Sequence, residues 1–348
     1  MTERLAPRWT ALAVGMGLAA AWLALDLALW AYGETPAHVL AAAARGTWGT
    51  PYGIGQVLFK ATPLLFCGVA VDLAFRAGLF NIGAEGQLAV GALAVGLVGA
   101  RLPATVPGVV AIPLLVAVAA GAGATFAAVP AWLRVRRGTH EVLSTLMLNG
   151  IAGPVVTFAF AHGGALPGTV RTDDVPAAAR LLRLDTLVPA MRGSAASVAV
   201  FAAVAVAWLA HAAYARSRFG REALLVGQNA EACRRAGVPV GRRLALVLLA
   251  SGAAAGLGAL GTVLGYKGYY EAGLGAGAGF GGIAVALLGR GHPVGLVLAA
   301  LLFGTLQQGG MAVNGLVPME LTDVLQGLVI VTLAGADARV RAALGWRP

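Results

Sequence analysis

The polar residues best suited to chemistry lie in an interruption between two apolar segments, Arg76-Ala-Gly-Leu-Phe-Asn81-Ile-Gly-Ala-Glu85-Gly-Gln87. A carboxylate at the centre of a membrane helix costs about 2.5–3.5 kcal/mol on insertion scales, so Glu85 is expected to face protein or water. Non-helical backbone is tolerated at that depth only where protein or a cavity covers it. The interruption therefore predicts the lining of a solute path. A simpler role stays open, with Asn81 as a helix N-cap and Glu85 complementing the helix dipole.

A second set of polar residues follows helical spacing: Glu141, Ser144, Thr145 and Asn149. Such side chains either face a pore or form hydrogen bonds between neighbouring helices. Three aromatic residues near a glycine tract, Tyr269, Tyr270 and Phe280, would either stack on a planar solute or lie at the membrane interface. The candidate residues of the path are Asn81, Glu85, Gln87, Asn149 and Phe280.

Several kinds of catalytic site are excluded by the sequence. No phosphate-binding G-x-x-x-x-G-K-[ST] loop is present, and no G-x-S-x-G nucleophile elbow. The pair His140-Glu141 begins like a zinc-protease motif, but Ser144 stands where the second histidine would be. Two cysteines, Cys67 and Cys233, match no metal spacing. We therefore predict no catalytic residue, no metal site and no cofactor bound by this chain.

The elements that must position these residues are membrane-spanning helices. Hydrophobic residues make up 59% of the chain and charged residues only 11%, against about 25% charged in ordinary soluble domains. A helical crossing needs about 20 apolar residues. The sequence predicts an all-α polytopic membrane protein with about ten spans, some broken or short, at 10–32, 55–79, 84–101, 108–131, 142–163, 195–215, 244–267, 278–289, 294–311 and 321–337.

The distribution of basic residues predicts the orientation. Most of the 25 lysines and arginines fall on the side of the N-terminus when the spans alternate, so both termini are expected in the cytoplasm. The net charge of +10 then reports topology, and no nucleic-acid partner is predicted. Two loops, about 33–50 and 164–194, are expected outside, and a basic loop at 216–243 inside. We treat residues 1–348 as a single membrane domain.

Four stretches in order resemble the permease subunits of bacterial ABC importers for nucleosides and simple sugars, within the branched-chain amino acid and ribose permease superfamily. They are Phe80-Asn-Ile-Gly-Ala-Glu-Gly-Gln87, His140-Glu-Val-Leu-Ser-Thr-Leu-Met-Leu-Asn149, Val226-Gly-Gln-Asn-Ala-Glu231 and Gly279-Phe-Gly-Gly-Ile-Ala-Val-Ala-Leu-Leu-Gly-Arg290. The wording of the first resembles the nucleoside branch. The resemblance implies nucleoside transport across a bacterial inner membrane, with simple sugars and then branched-chain amino acids as alternatives.

The resemblance also implies partners. Glu231-Ala-Cys-Arg-Arg-Ala-Gly237 is similar to the E-A-A-x-x-x-G coupling segment of ABC permeases, with Glu231, Ala232 and Gly237 as the matching residues and Cys233 as a departure. A short cytoplasmic helix there would enter a groove of a separate ATPase, which would bind ATP and Mg²⁺. A second permease chain, giving a heterodimer, and an external binding protein complete the expected assembly. An ion-coupled transporter using Asp72 and Glu85, or a scaffold without transport, are the competing hypotheses.

Overall fold

The computed structural model describes residues 22–318, residue 19, and residues 320, 321, 323, 324, 327 and 328. The chain divides into two compact units, one formed by 1–54 with 305–348 and the other by 55–304. Over the described ranges every regular element is a helix, and extended pairing is limited to isolated bridges such as Arg171 with Glu271. The predicted all-α fold is confirmed to this extent.

The helices of the described residues are numbered here in chain order. They are α1 (Trp22–Ala31), α2 (Pro36–Thr47), α3 (Pro51–Arg76), α4 (Ala84–Ala100), α5 (Gly108–Arg137), α6 (Glu141–Ala159), α7 (Leu184–Leu187), α8 (Ala199–Arg216), α9 (Arg218–Gln228), α10 (Ala230–Arg235), α11 (Val240–Gly256), α12 (Ala278–Gly289) and α13 (Pro293–Val313). A π-helical turn at Phe160–Gly164 extends α6, and another at Leu260–Lys267 follows α11.

Six of these segments are long and apolar enough to cross a membrane. They are α3, α5, α6 with its π turn, α8, α11 with its π turn, and α13. Helices α1, α4 and α12 are apolar but shorter. Each predicted span between 55 and 311 coincides with one of these helices. The predicted span 321–337 and the first part of 10–32 lie almost entirely outside the described residues.

Small residues set the packing of the larger unit. A Cβ on Gly123 of α5 would lie 2.2 Å from the carbonyl oxygen of Gly252 in α11, and one on Gly91 of α4 would lie 2.7 Å from the Cα of Gly256. Glycines let transmembrane backbones approach this closely. Helix α3 contributes a fully buried face that includes Leu64. As a result, α4, α5 and α11 pack closely against one another in the core.

Two predicted loops are helical in the structure. Residues 33–50 contain α2, because Thr35 caps the helix through its Oγ1, which accepts from the His38 N–H at 3.3 Å, and Pro36 fits its first turn. The run of alanines that follows favours a helix, but this helix is too short to span a membrane. Likewise 216–243 holds α9 and α10. A short helix was expected only within 216–243, and α2 was not expected because hydropathy measures burial in lipid and not helix formation.

Candidate functional site

The interruption between α3 and α4 is held by a buried amide network around Asn81. The Asn81 Nδ2 donates to Gln87 Oε1 at 2.8 Å and to Ser251 Oγ at 2.7 Å, and Ser251 Oγ donates to the Ala70 carbonyl at 2.5 Å. Asn81 Oδ1 accepts from the Gly83 N–H at 2.9 Å. Since Gly83 is the residue at the N-cap of α4, the interpretation of Asn81 as the N-cap was wrong. Its side chain instead ties the turn to α4 and α11.

Asn149 of α6 holds the same turn from another side. Its Nδ2 donates to the Ile82 carbonyl at 2.8 Å, and its Oδ1 accepts from the Gly86 N–H at 2.9 Å. These contacts satisfy backbone groups that the interruption leaves without helical partners. The hydroxyls of Ser144 and Thr145 bond back to the Glu141 carbonyl of their own helix at 3.1 and 2.8 Å. Asn149 therefore connects helices, whereas the two hydroxyls do not.

Glu85 lies in the first turn of α4, and its carboxylate serves the start of a different helix. Its Oε1 accepts from the Gly277 N–H and its Oε2 from the Gly279 N–H, both at 2.7 Å. These N–H groups belong to the beginning of α12, where intrahelical partners are lacking. A charged acceptor at a helix N-terminus is favourable. A Cβ on Gly279 would lie 2.2 Å from the Glu85 nitrogen, so only glycine allows this approach.

A cavity of about 790 Å³ lies against these two interruptions. It is lined by residues of α4, α6 and the turn before α12: Glu85, Gly86, Leu88, Ala89, Asn149, Ala152, Gly153, Pro154, Val156, Thr157, Phe158, Ala161, Tyr270, Ala272, Gly273, Leu274, Gly275 and Ala276. Glu85 is the only one of these with an acidic or basic side chain. Of the five predicted path residues the cavity brings together Glu85 and Asn149.

The other three path candidates lie elsewhere. Asn81 and Gln87 are 0% and 1% exposed within their network and do not line the cavity. Phe280 on α12 is 48% exposed and is also absent from the lining. Two lining residues are aromatic: Phe158, which the sequence did not indicate, and Tyr270, which belongs to the aromatic set predicted near the glycine tract. Phe158 is exposed, whereas Tyr270 is buried, and burial raises the pKa of Tyr270 to about 12. The Tyr270 side chain is therefore uncharged at neutral pH.

The long segment predicted as an external loop is bonded to the cavity wall. The Thr172 N–H donates to the Tyr270 carbonyl at 2.8 Å, and the Ala272 N–H donates to the Val170 carbonyl at 3.0 Å. Thr172 Oγ1 accepts from the Tyr270 N–H at 3.0 Å. This backbone pairing fixes the turn that precedes α12. A displacement of the 164–194 segment would therefore be transmitted directly to the cavity.

The segment predicted to couple to an ATPase forms a short capped helix, as expected. Asn229 Oδ1 accepts from the Ala232 N–H at 2.9 Å at its start. Gly237 adopts a φ of +80° at its end, and the following Val238 N–H bonds to the Cys233 carbonyl at 3.0 Å. Cys233 is buried in a small apolar cluster with Val226 and Val240.

The outward face of α10 is open. The predicted residues Glu231, Ala232 and Gly237 are all exposed. The Glu231 carboxylate pairs with Arg234 and with Arg235 of its own helix. Cys233 takes the inward position, where a small side chain suffices, so its departure from the alanine pattern does not alter the exposed face. The three matching residues are free to meet another protein.

Charged pairs support the interruption from the side of α3 and α6. Asp72 Oδ2 accepts from Arg76 Nε at 2.9 Å, as the i, i+4 spacing predicts. Arg76 also donates to the Gly291 carbonyl.

Sequence reasoning missed Ser251, although it is the only hydroxyl in the apolar stretch 244–256 of α11 and could have been found by that contrast. Within the described ranges no group of three metal-ligating side chains occurs.

Comparison with known proteins places the chain in a family. The profile described as branched-chain amino acid transport system / permease component matches residues 53–334. The glucose ABC transporter permease protein of Haloferax volcanii is 34% identical, covering 99% of this chain and 92% of its own length. The guanosine ABC transporter permease protein of Bacillus subtilis is also 34% identical, over 96% of this chain and 94% of its own.

A third relative, the nucleoside ABC transporter permease protein NupB of Lactococcus lactis, is 31% identical over 82% of this chain and 80% of its own length. No solved structure matches. The family profile covers far more than half of the chain, and the structure supplies six helices able to cross a bilayer. This multi-pass membrane protein therefore belongs to the permease family described as the branched-chain amino acid transport system / permease component.

Proposed function

We propose that this chain is the membrane-spanning permease subunit of an ATP-driven importer and forms part of the path for nucleosides. Simple sugars are the second candidate and branched-chain amino acids the third. The observation that carries the proposal is the cavity of about 790 Å³ at the two helix interruptions, whose size lies within the roughly 300–1,000 Å³ of small-molecule sites. Interrupted helices are the usual sites of solute binding in transporters.

The charge of the cavity favours an uncharged solute. Among the described residues that line it, Glu85 is the only one with a charged side chain, and both of its oxygens already accept backbone N–H groups. In the part of the chain that the structure describes, no lysine or arginine lines the cavity to neutralise a phosphate. Backbone groups of the turn 272–276 and the hydroxyl of Thr157 offer hydrogen bonds to a neutral polar molecule. Nucleotides and sugar phosphates are therefore disfavoured relative to nucleosides and free sugars.

The aromatic lining supports a nucleoside over a sugar. Phe158 is 65% exposed and lines the cavity. One face of its ring is stacked on the His162 imidazole, with the ring centroids 4.0 Å apart, so the other face is the one available to stack on a base. Stacking on an aromatic side chain contributes about 1–3 kcal/mol per base. Two of the relatives are permeases for guanosine and for nucleosides. The relative from Haloferax volcanii is a glucose permease, which keeps sugars as the alternative.

We assign the chain ten spans in a bacterial inner membrane, with both termini in the cytoplasm and residues 1–348 as one membrane domain. The segment 164–194 would then lie outside and the segment 216–243 inside. This orientation places the basic ends of α5 and α8 in the cytoplasm, as the positive-inside rule requires. The backbone pairing of 164–194 to the cavity wall suits contact with an external binding protein.

Coupling to ATP hydrolysis would occur through α10. Its exposed face, with Glu231, Ala232 and Gly237, would dock on a separate ATPase that binds ATP and Mg²⁺, while this chain catalyses no covalent reaction. A related second permease chain would complete a heterodimer, as the two nucleoside permease proteins of Lactococcus lactis suggest. The ion-coupled alternative loses support because the carboxylates of Asp72 and Glu85 are both engaged within the protein.

Reconstitution tests the proposal. The chain is combined in vesicles with its second permease, ATPase and external binding protein, and uptake of labelled nucleoside and of labelled glucose is measured. We expect ATP-dependent nucleoside uptake that unlabelled nucleoside suppresses and glucose does not. Uptake of glucose alone would replace the substrate assignment. Uptake driven by an ion gradient in vesicles without the ATPase would overturn the proposed class of transporter.

A further inference from the structure

A second cavity, of about 590 Å³, lies where the end of α5 meets the start of α11. Its lining combines arginines with an apolar strip: Arg134, Val135, Gly138, Ala230, Arg234, Val238, Pro239, Val240, Gly241, Arg242 and Leu244. It shares no residue with the cavity at the helix interruptions. Two of its residues, Ala230 and Arg234, belong to α10, and the solute path does not account for this combination of charge and apolar surface.

The cavity carries uncompensated positive charge. Arg134 pairs with Glu141 at 3.3 Å, and Glu231 is shared between Arg234 and Arg235. Arg242 is exposed and has no acidic partner among the described residues. The three lining arginines and the neighbouring Arg235 are balanced by only two glutamates, which leaves two positive charges at and beside the cavity. The first turn of α11 also lines it and adds the positive end of a helix dipole.

The position of the cavity corresponds to the level of lipid headgroups, if the chain lies in the membrane as proposed. Helix α5 has 30 residues and is about 45 Å long, whereas the hydrocarbon core is about 30 Å thick. Its last turns, with Arg134, therefore reach the inner interface. Trp132, which is 54% exposed one turn before Arg136, is the type of residue that marks such an interface.

We infer that this cavity binds an anionic phospholipid of the inner leaflet. The phosphate would lie between Arg134, Arg234 and Arg242, and an acyl chain would follow the apolar side chains of Val135 and Leu244. Basic cavities between spanning helices on the cytoplasmic side suit such headgroups. Because the cavity joins α5 and α11 next to α10, a bound lipid would stabilise the base of the segment assigned to coupling.

The test uses the purified full-length chain in a neutral detergent. The midpoint of thermal unfolding is followed by tryptophan fluorescence while phosphatidylglycerol or phosphatidylcholine is added. Three variants are compared with the wild type: the double variant Arg234→Gln/Arg242→Gln, the charge-preserving Arg242→Lys, and Arg216→Gln. Arg216 ends α8, is exposed, and does not line the cavity, so it controls for the loss of a surface charge.

We expect phosphatidylglycerol, and not phosphatidylcholine, to raise the midpoint in the wild type, in Arg242→Lys and in Arg216→Gln. In the double variant the concentration that produces half of the shift should rise by roughly 25-fold, at about fivefold per arginine near an anionic lipid. Native mass spectrometry of the same samples counts retained lipids and gives a readout if the double variant is less stable.

Three results would overturn the inference. The first is an equal response to phosphatidylglycerol in the double variant and the wild type. The second is the same shift from millimolar inorganic phosphate, which would make the cavity a site for a soluble anion. The third is an unchanged lipid response combined with weaker binding of the ATPase, which would assign the arginines to an acidic surface of that partner. None of these measurements depends on transport, so they leave the proposed function separately testable.

Discussion

Asn81 lies shortly before α4 and Asn229 lies directly before α10, but the two side chains differ in burial and in the reach of their contacts. Asn81 is fully buried, and its amide contacts side chains of α4 and α11 that are 6 and 170 residues away in sequence. Asn229 is exposed, and its side chain reaches only the Ala232 N–H three residues on. The first region is held by tertiary contacts. The second, α10, is held by local caps and one buried residue, Cys233.

The difference suggests two uses for motif residues. At the interruption the polar atoms form hydrogen bonds within the protein, so they shape the cavity and are not free to bind a solute. Glu85 and Asn149 are the two residues of this group that also line the cavity. At α10 the residues that match the coupling pattern of ABC permeases are exposed, so they suit contact with another protein. Variants that affect stability should therefore concentrate at the interruption, and variants that affect coupling should concentrate at α10. The following changes test this, in decreasing order of their effect on stability.

Gly279→Ala should have the largest effect. The added Cβ would lie 2.2 Å from the Glu85 backbone, which cannot move without breaking the start of α4, so we expect a loss of about 3 kcal/mol or more and little folded protein. Gly121→Ala in α5 is the matched control, since a Cβ there meets nothing within 4 Å and Gly121 does not line the cavity, and it should stay near the wild type. Size-exclusion profiles and nucleoside uptake compare the two. Equal profiles and uptake would contradict the close packing of α12 on α4.

Asn81→Ala should lower the free energy of unfolding by about 2–4 kcal/mol, because it leaves Gln87 and Ser251 buried without their partner. Asn229→Ala removes only a helix cap and should cost about 1 kcal/mol. Denaturant unfolding in detergent measures both. If the two variants are equally destabilised, the contrast between a buried network and a local cap is wrong.

Glu231→Ala should change the free energy of unfolding by less than about 1 kcal/mol, since its pairs with Arg234 and Arg235 are exposed. In the assembled transporter it should abolish the stimulation of ATP hydrolysis by substrate. Glu34→Ala removes a comparable i, i+4 contact, that with His38, and serves as the control with normal stimulation. Normal stimulation in Glu231→Ala would remove the coupling role of this residue.

Glu222→Gln should have the smallest effect and one that depends on pH. Hydrogen bonds from Arg218 and Arg243 lower the pKa of the Glu222 carboxyl below its ordinary value of 4.5. A lowered pKa in the folded state stabilises the fold above the ordinary value, and this contribution is lost as the pH falls through the lowered pKa. The unfolding midpoints of wild type and Glu222→Gln should therefore differ at neutral pH and converge in acid. A difference that is constant with pH would contradict the assignment.

Sequence alone predicted the spanning helices well, because long apolar runs in a membrane protein have few alternatives to a helix. It missed the ends of helices that continue into polar sequence. Helix α5 was predicted to end at 131 and continues to Arg137, since arginines favour a helix and complement its C-terminal dipole although they lower hydropathy. Helix α2 was missed for a related reason. Its alanines favour a helix, but their hydropathy is too low to indicate a membrane span.

The candidate site was predicted in part. The polar interruption and the glycine tract were both identified, but no local pattern shows that they meet, since Glu85 and Gly279 are bonded across 194 residues of sequence. The same limit explains why the sequence left a cap role open for Asn81. Its role depends on Ser251, which only the packing of α11 brings near. The short helix α10 was predicted more fully, because its caps at Asn229 and Gly237 are local.

The bond between Glu85 and α12 also bears on how the protein is made. At about 5–20 residues per second, ribosomes need about 10–40 s to travel from Glu85 to Gly279. Throughout that interval the Glu85 carboxylate has been synthesised and its two N–H donors have not. Until Gly277 and Gly279 have been synthesised, this carboxylate must therefore be solvated by water or other groups, or be neutralised by a proton. Full assembly of the larger unit is thus a late event in biosynthesis.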